Sequence, residues 1–148
     1  MSARILRLAR ATAIAGLLSS ALVASGCSRS HVTMPDTPAS ARPLPATGPH
    51  EVRTDLMVAD MYTRYGAALR GFNVQSYLLD GADWPSIEAH YAAALQDWSA
   101  DERFGPRSGR TQGRTWVDGD RVLVAEMFDA DGTPVLLVGS NVGDAGQR

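Results

Sequence analysis

The amino-acid sequence predicts a small α+β domain, in which an antiparallel sheet of about four strands is covered on one face by one or two helices. Two stretches of apolar residues recur at helical spacing, and three β-type segments joined by turn residues dominate the second half of the chain. A chain of 148 residues with 45% hydrophobic residues has room for one such domain. We place this domain at residues 54–142.

The first predicted helix covers residues 54–70, because its apolar side chains recur at helical spacing. Thr54 is suited to cap the start, and Gly71 is suited to end the helix in the left-handed conformation. Residues 56–58 alone are also compatible with a short strand. Residues 72–79 alternate in part, so they predict a strand. The apolar face of the helix comprises Val58, Met61, Tyr62, Tyr65 and Leu69.

A second helix is predicted from residue 84 to about residue 98. Asp83 is a good N-cap, and Pro85 stands in the first turn, where a missing amide donor does no harm. The spacing of the large apolar residues predicts one buried face for this helix. That face comprises Trp84, Ile87, Tyr91, Ala94, Leu95 and Trp98.

Three strands are predicted to follow. Residues 115–117 pair with residues 122–128 across an Asp-Gly-Asp turn, since Asp-Gly is typical of a hairpin. Residues 129–132 form the next turn, and residues 134–140 return as a strand. The turn DADG resembles half of a calcium loop but lacks the remaining ligands, so no metal site is predicted. The polar tail, residues 143–148, is predicted to fray.

The first 26 residues have the organisation of a secretory signal peptide. Arginines at positions 4, 7 and 10 precede a charge-free stretch from Ala11 to Ser25. That stretch is shorter than the ~20 residues that a membrane-spanning helix needs. The sequence VASGC at residues 23–27 resembles the lipobox of bacterial lipoproteins, and it holds the only cysteine of the chain, Cys27.

The resemblance to bacterial lipoproteins implies that Cys27 receives a diacylglyceryl thioether, becomes the mature N-terminus and is then often N-acylated. Two or three acyl chains anchor a protein stably, so the lipid bilayer is the first predicted partner. In Gram-negative lipoproteins an Asp after the cysteine means retention in the inner membrane, and this chain has Ser28 there. The resemblance therefore implies the outer membrane, facing the periplasm, if the cell is Gram-negative.

The residues after the cysteine predict a disordered tether, assigned to residues 27–53 with the lipidated Cys27 at its start. Five of the eight prolines lie here, and no apolar periodicity runs through the segment, so it lacks the means to build a core. Proline stiffens such a chain, and its length allows a reach of at most roughly 85 Å. The tether is expected to hold the domain away from the membrane.

Charge and motifs exclude several functional classes. Without residues 1–26, the chain keeps 11 basic and 16 acidic residues, a net charge of −5, which argues against nucleic-acid binding. There is no lysine for a phosphate-binding P-loop, no GxGxxG and no GxSxG. The three histidines lack metal-ligand spacing. No cofactor is therefore predicted.

The loop at residues 101–114 is rich in arginine and glycine. Guanidinium groups bind phosphate, sulfate and carboxylate groups through paired hydrogen bonds, so this loop is the candidate site for an anionic envelope polymer or an acidic partner protein. A solvated loop whose arginines pair with neighbouring carboxylates is the alternative. The candidate residues are Arg103, Arg107, Arg110 and Arg114.

The sequence thus predicts an envelope lipoprotein with a small non-catalytic binding or scaffold domain. The alternative is a small envelope hydrolase. In that alternative His90 of the second helix meets Glu126 across the packing and forms an acid–base pair, with Glu88 as a further carboxylate.

Overall fold

The structure is a computed structural model that describes residues 33–102 and 110–143. These residues belong to one compact unit, residues 31–148. Within the described ranges, no helix is long and apolar enough to cross a membrane. The strands are β1 (Ala41–Pro43), β2 (Asn73–Leu79), β3 (Ser99–Ala100), β4 (Gln112–Asp118), β5 (Arg121–Ala130) and β6 (Thr133–Ser140). The helices are α1 (Glu51–Met61), which continues as a π-helical segment (Tyr62–Gly66), and α2 (Trp84–Ala94).

The strands form one sheet in the order β1-β2-β6-β5-β4-β3, and every neighbouring pair is antiparallel. The α+β class is confirmed, and the sheet has six strands rather than the predicted four or so. The two short edge strands account for the difference, since β1 has three residues and β3 has two. Strands of this length are too short to show an alternating pattern in the sequence.

The two predicted hairpins are present. Asp118 pairs with Arg121 around Gly119, whose φ of 63° suits the first position of a two-residue hairpin turn. The β5–β6 turn has positive φ at both Asp131 (54°) and Gly132 (86°), as a type I′ turn requires. These turns fix the register of β4, β5 and β6, and the register decides which side chains share a face.

Both faces of the sheet are apolar, and each carries one helix. Along β5, Val124 and Phe128 belong to the cluster with Met61 of α1, whereas Leu123 and Ala125 belong to the cluster with α2. Successive strand residues point to opposite faces, so the helices lie on opposite faces as well. The expectation that the helices cover one face is therefore wrong. β5 and β6 are apolar on both faces, so both faces need cover.

The α1 face has a tightly packed core. Tyr65 of the π-helical segment stacks on Phe72 at a ring-centroid distance of 5.4 Å. Gly139 of β6 makes room for this packing, because a Cβ there would lie 2.5 Å from Phe72 and 2.8 Å from the Met61 sulfur. Tyr65 also shares a 3.1 Å hydrogen bond with Thr115 of β4, which satisfies both buried hydroxyls.

The first helix differs from its prediction at both ends. It begins at Glu51 instead of residue 54, and its α-helical part ends at Met61. Thr54 is not the cap: it is buried inside the helix, and its hydroxyl has no hydrogen-bond partner among the described residues. Gly71 has the predicted left-handed conformation, with a φ of 76°. The residue before the helix, His50, is buried and its Nε2 lies 3.0 Å from the carbonyl oxygen of Pro45.

The second helix begins as predicted, where Asp83 accepts a hydrogen bond from the Ser86 amide. It ends at Ala94 rather than near residue 98, and Ala94 is exposed. Ile87, Tyr91 and Leu95 are buried against the sheet, as the apolar face predicted. Trp84 and Trp98 are only partly buried at the rim of this cluster.

The prediction of a disordered tether over residues 27–53 is wrong for much of the described part of this segment. Met34 and Ala41 pack against the α2-face cluster, residues 41–43 form β1 on the edge of β2, and α1 takes residues from 51 onward. The sequence of this segment shows no apolar periodicity, and its order comes from contacts with the sheet, which a local pattern does not reveal. Residues 27–32 lie outside the described ranges, as do 103–109 and 144–148 of the predicted loop and tail.

Candidate functional site

One half of the α2 face lies open as a groove. Helix α2 contacts β4 and covers that half of the sheet, whereas the segment Met34–Thr37 lies over β2 and β6. Beside this segment are two cavities of about 270 Å³ and 220 Å³, which share three lining residues, Met34, Gln75 and Val138. We call this pair of cavities the β2–β6 groove.

The floor of the groove is a polar stripe on β2. Asn73, Gln75 and Tyr77 are spaced by two residues, so they project from the same face of the strand. Beside them on β6, Val138 and Ser140 line the first cavity. The Ser140 hydroxyl donates to the Val122 carbonyl and accepts from the Val142 amide, so its hydrogen bonds are used within the fold.

A hydrogen-bond relay orients Gln75. Thr37 donates to the hydroxyl of Tyr77 at 3.4 Å, and that hydroxyl donates in turn to Oε1 of Gln75. Because the carbonyl oxygen of Gln75 is engaged, its amide nitrogen is the group left to face the groove. This nitrogen has no hydrogen-bond partner in the described part of the chain.

Asn73 is oriented in the same way from the other end of the stripe. Its Oδ1 accepts from the Val74 amide at 3.0 Å and from the Tyr62 hydroxyl at 3.3 Å. The amide nitrogen of Asn73 therefore also remains as a donor, and residues 33–102 and 110–143 offer it no partner. The groove thus presents two amide donors whose acceptor ends are already satisfied.

The segment Met34–Thr37 forms one wall of the groove, and His90 connects this wall to α2. Its Nε2 lies 2.8 Å from the backbone carbonyl of Asp36, and its ring meets Tyr91 edge-on at 5.1 Å. Tyr91 itself is buried at the base of the second cavity, and its burial, together with the neighbouring Tyr77, raises the pKa of its phenol. His90 therefore holds the wall in place, with its Nε2 engaged by the backbone.

The described lining of the groove carries little charge. Asp36 is the one charged residue among the described residues that line it. The same ranges contain no group of three or more His, Cys, Asp or Glu residues placed to hold a metal ion. The site therefore favours uncharged ligands that carry hydrogen-bond acceptors.

The four arginines predicted to bind anions are not gathered into one site in the described ranges. Arg103 and Arg107 lie outside those ranges, and Arg110 stands at their edge. Arg114 lies on β4, where it forms an ion pair with Glu88 of α2. Arg114 thus follows the alternative interpretation, an arginine paired with a nearby carboxylate. Anion binding by the other three stays a prediction.

The predicted acid–base pair of His90 and Glu126 is wrong, because the two residues lie on opposite faces of the sheet. Glu126 is fully buried on the α1 face and accepts two hydrogen bonds from the Arg64 guanidinium, at 2.6 Å and 2.8 Å. Arg64 also donates from Nε to Asp60 at 2.7 Å. Burial alone lowers the pKa of Arg64, but the hydrogen bonds and charge of Glu126 outweigh burial and raise it.

Sequence reasoning missed the groove although its signal is present. The predicted strand at residues 72–79 carries polar side chains at alternating positions, Asn73, Gln75 and Tyr77, which indicates one polar face. The sequence does not show that this face lies beside α2, or that residues 34–37 wall it. Comparison with protein-family models, with curated proteins and with solved structures finds no match for the chain, so the site is interpreted from its own geometry.

Proposed function

We propose that this protein is a lipid-anchored component of the bacterial cell envelope whose domain binds a partner without catalysis, through the β2–β6 groove. The observation that carries the proposal is the pair of oriented, unpartnered amide donors, Asn73 and Gln75, on the floor of an open groove. Asn73 is exposed and Gln75 is half-buried, so both amide nitrogens are accessible to a ligand, and oriented polar groups beside apolar side chains are typical of a binding site.

The anchor is proposed from the lipobox-like sequence at residues 23–27, with Cys27 as the acylated residue. Ser28 after the cysteine favours the outer membrane, facing the periplasm, if the cell is Gram-negative. Met34 lies only seven positions after Cys27 and already packs on the domain. Seven residues span at most about 25 Å, so the proposed anchor holds the groove close to the bilayer rather than on a long stalk.

Binding is favoured over hydrolysis by the chemistry of the groove. Its described side chains are amides, hydroxyls and apolar groups, and the His90 Nε2 is engaged with a backbone carbonyl. A hydrolase needs a nucleophile or an activated water beside a base, and the described lining brings no such pair together. Glu126, the carboxylate proposed for the hydrolase, is sealed against Arg64 on the other face.

The anchor is tested by metabolic labelling with a clickable palmitate analogue. The wild-type protein should incorporate the label and partition into detergent, and Cys27→Ser should lose the label and either leave the membrane or stay uncleaved. A Cys27→Ser protein that is cleaved and still partitions into detergent would show that the anchor is another residue.

Binding through the groove is tested by photo-crosslinking in intact cells. Replacing Val142, which lines the first cavity, with p-benzoylphenylalanine should yield a crosslink to an envelope component. The matched control carries the same amino acid at Ala92, an exposed position of α2 outside the groove lining, and should yield none. Equal crosslinking from both positions, or crosslinking from Ala92 alone, would contradict the proposed site.

A further inference from the structure

We propose that the β2–β6 groove recognises the acetamido groups of an uncharged, N-acetylated glycan, an inference that rests on the proposed function of this groove as a binding site. The Asn73 and Gln75 amides donate to the acetamido carbonyl oxygen. Met34, Val138 and Val142 receive the methyl group, since all three line the same cavity.

Charge favours a neutral ligand. The one charged residue among the described lining residues is an acid, Asp36, and the chain after residue 26 has a net charge of −5. Phosphate, sulfate and carboxylate groups would meet repulsion here and would find no guanidinium in the described lining. Hydroxyl and amide groups meet no such penalty.

The free groups of the floor are donors, which sets the complementary chemistry. The acceptor oxygens of Asn73 and Gln75 are engaged by Tyr62 and Tyr77, so a ligand must supply acceptors to their amide nitrogens. An acetamido carbonyl is such an acceptor. Its attached methyl group distinguishes it from a sugar hydroxyl, and the apolar residues beside the donors match that methyl group.

The position of the groove favours a glycan over a peptide. An extended peptide usually binds by adding a strand to a sheet edge, where backbone groups are free. The groove lies on the face of the sheet, where β2 and β6 are paired with each other from Asn73 to Leu78. A ligand here is recognised by side chains, which suits the substituents of a sugar ring.

The size of the groove fits part of a polymer. Each cavity, at about 270 Å³ and 220 Å³, is smaller than the roughly 300 Å³ at which pockets begin to enclose a whole drug-sized ligand. The two cavities adjoin through Met34, Gln75 and Val138. Adjacent cavities of this size accommodate substituents of neighbouring sugars while the rest of the chain stays in solvent.

The test is calorimetric titration of the lipidated full-length mature protein in nanodiscs. The probes are a β-1,4-linked N-acetylglucosamine tetramer and a β-1,4-linked glucose tetramer, which has the same length but lacks acetamido groups. The wild type should bind the acetylated tetramer and not the glucose tetramer. Gln75→Ala should weaken binding about three- to tenfold, the effect of one lost hydrogen bond. Gln75→Glu should weaken it further, because it removes the donor and also places a negatively charged acceptor against the acetamido oxygen.

Gln112→Ala is the matched control, because Gln112 is an exposed glutamine on β4 outside the groove lining, and it should bind as the wild type does. Circular dichroism of each variant establishes that it is folded. Equal affinity for both tetramers, or no binding of either by the wild type, would overturn the ligand class. So would binding of a neutral N-acetylated alanine peptide in place of the glycan. If the Val142 crosslink persists while the tetramer fails to bind, the groove remains a binding site and only the ligand class is wrong.

Discussion

The two faces of the sheet differ in how the hydrogen-bonding groups of their polar side chains are paired. On the α1 face, Glu126 is fully buried, and Arg64 meets both of its oxygens. On the α2 face, Asn73 and Gln75 have satisfied acceptors but donors without a partner in the described ranges. The Glu126 carboxylate is therefore paired within the fold, whereas the two amides are oriented with their nitrogens available to a ligand. This contrast is the reason for proposing the α2 face as the binding face.

Among the changes that test this difference between the faces, removing one partner of the buried Arg64–Glu126 ion pair should have the largest effect. Glu126→Leu should lower the free energy of unfolding by about 3–5 kcal/mol, because the buried Arg64 guanidinium then keeps only the partly exposed Asp60, at its Nε, as a charged partner. Urea denaturation at neutral pH measures the change. The double variant Arg64→Met with Glu126→Leu should recover most of the loss, since well-packed apolar residues replace such pairs at little cost. A single variant as stable as the wild type would show that the pair is solvated.

Two of the three tryptophans of the α2 face, Trp116 and Trp98, test how far its core extends. Trp116 is 3% exposed, so Trp116→Ala should cost about 3–5 kcal/mol of unfolding free energy. Trp98 is only partly buried and lies under the Arg121 guanidinium at 5.5 Å, so Trp98→Ala should cost about 1–2 kcal/mol. Thermal and urea unfolding compare the two. Equal losses of stability would show that Trp98 is as deeply buried as Trp116, which would contradict its position at the rim of the cluster.

The close packing on the α1 face predicts that adding even one methyl group there lowers stability. Gly139→Ala adds a methyl group where a Cβ would lie 2.5 Å from Phe72, so it should lower the free energy of unfolding by about 1–3 kcal/mol. Gly143 has open space around its Cβ position, and Gly143→Ala is the matched control with no expected change. A Gly139→Ala protein of wild-type stability would contradict the close packing of this face.

Alkaline pH should destabilise the α2 face through Tyr91. Its pKa in the folded protein is raised from the ordinary 10.0, so the unfolded chain ionises first and stability falls as pH rises above about 10. Each such tyrosine contributes at most about 1.4 kcal/mol per pH unit. Tyr91→Phe should make the fall less steep, measured by urea denaturation between pH 8 and 11. An unchanged slope would mean that another group controls the alkaline loss.

Local signals in the sequence were sufficient for the two hairpin turns and for the start of α2, but not for the start of α1. The two Asp-Gly turns specify their hairpins through positive φ at Gly119 and at Asp131 and Gly132, and Asp83 specifies the start of α2 through its capping bond. The edge strand β1 and the wall Met34–Thr37 could not be predicted this way, because only contacts with distant residues order them. For the same reason the sequence did not show that His90 and Glu126 lie on opposite faces of the sheet, since strand register decides which face a side chain takes.

Amide hydrogen exchange tests the central claim most directly. The lipidated protein is compared alone and with the membrane and cell-wall fraction of the cells that produce it. The account predicts added protection in the segment Met34–Thr37, in β2 and in residues 138–142 of the groove. No added protection is expected in α1 or in the π-helical segment after it, because neither contributes a residue to the groove lining. Protection that appears on α1 and leaves the groove unchanged would contradict the assignment of the α2 face as the binding face.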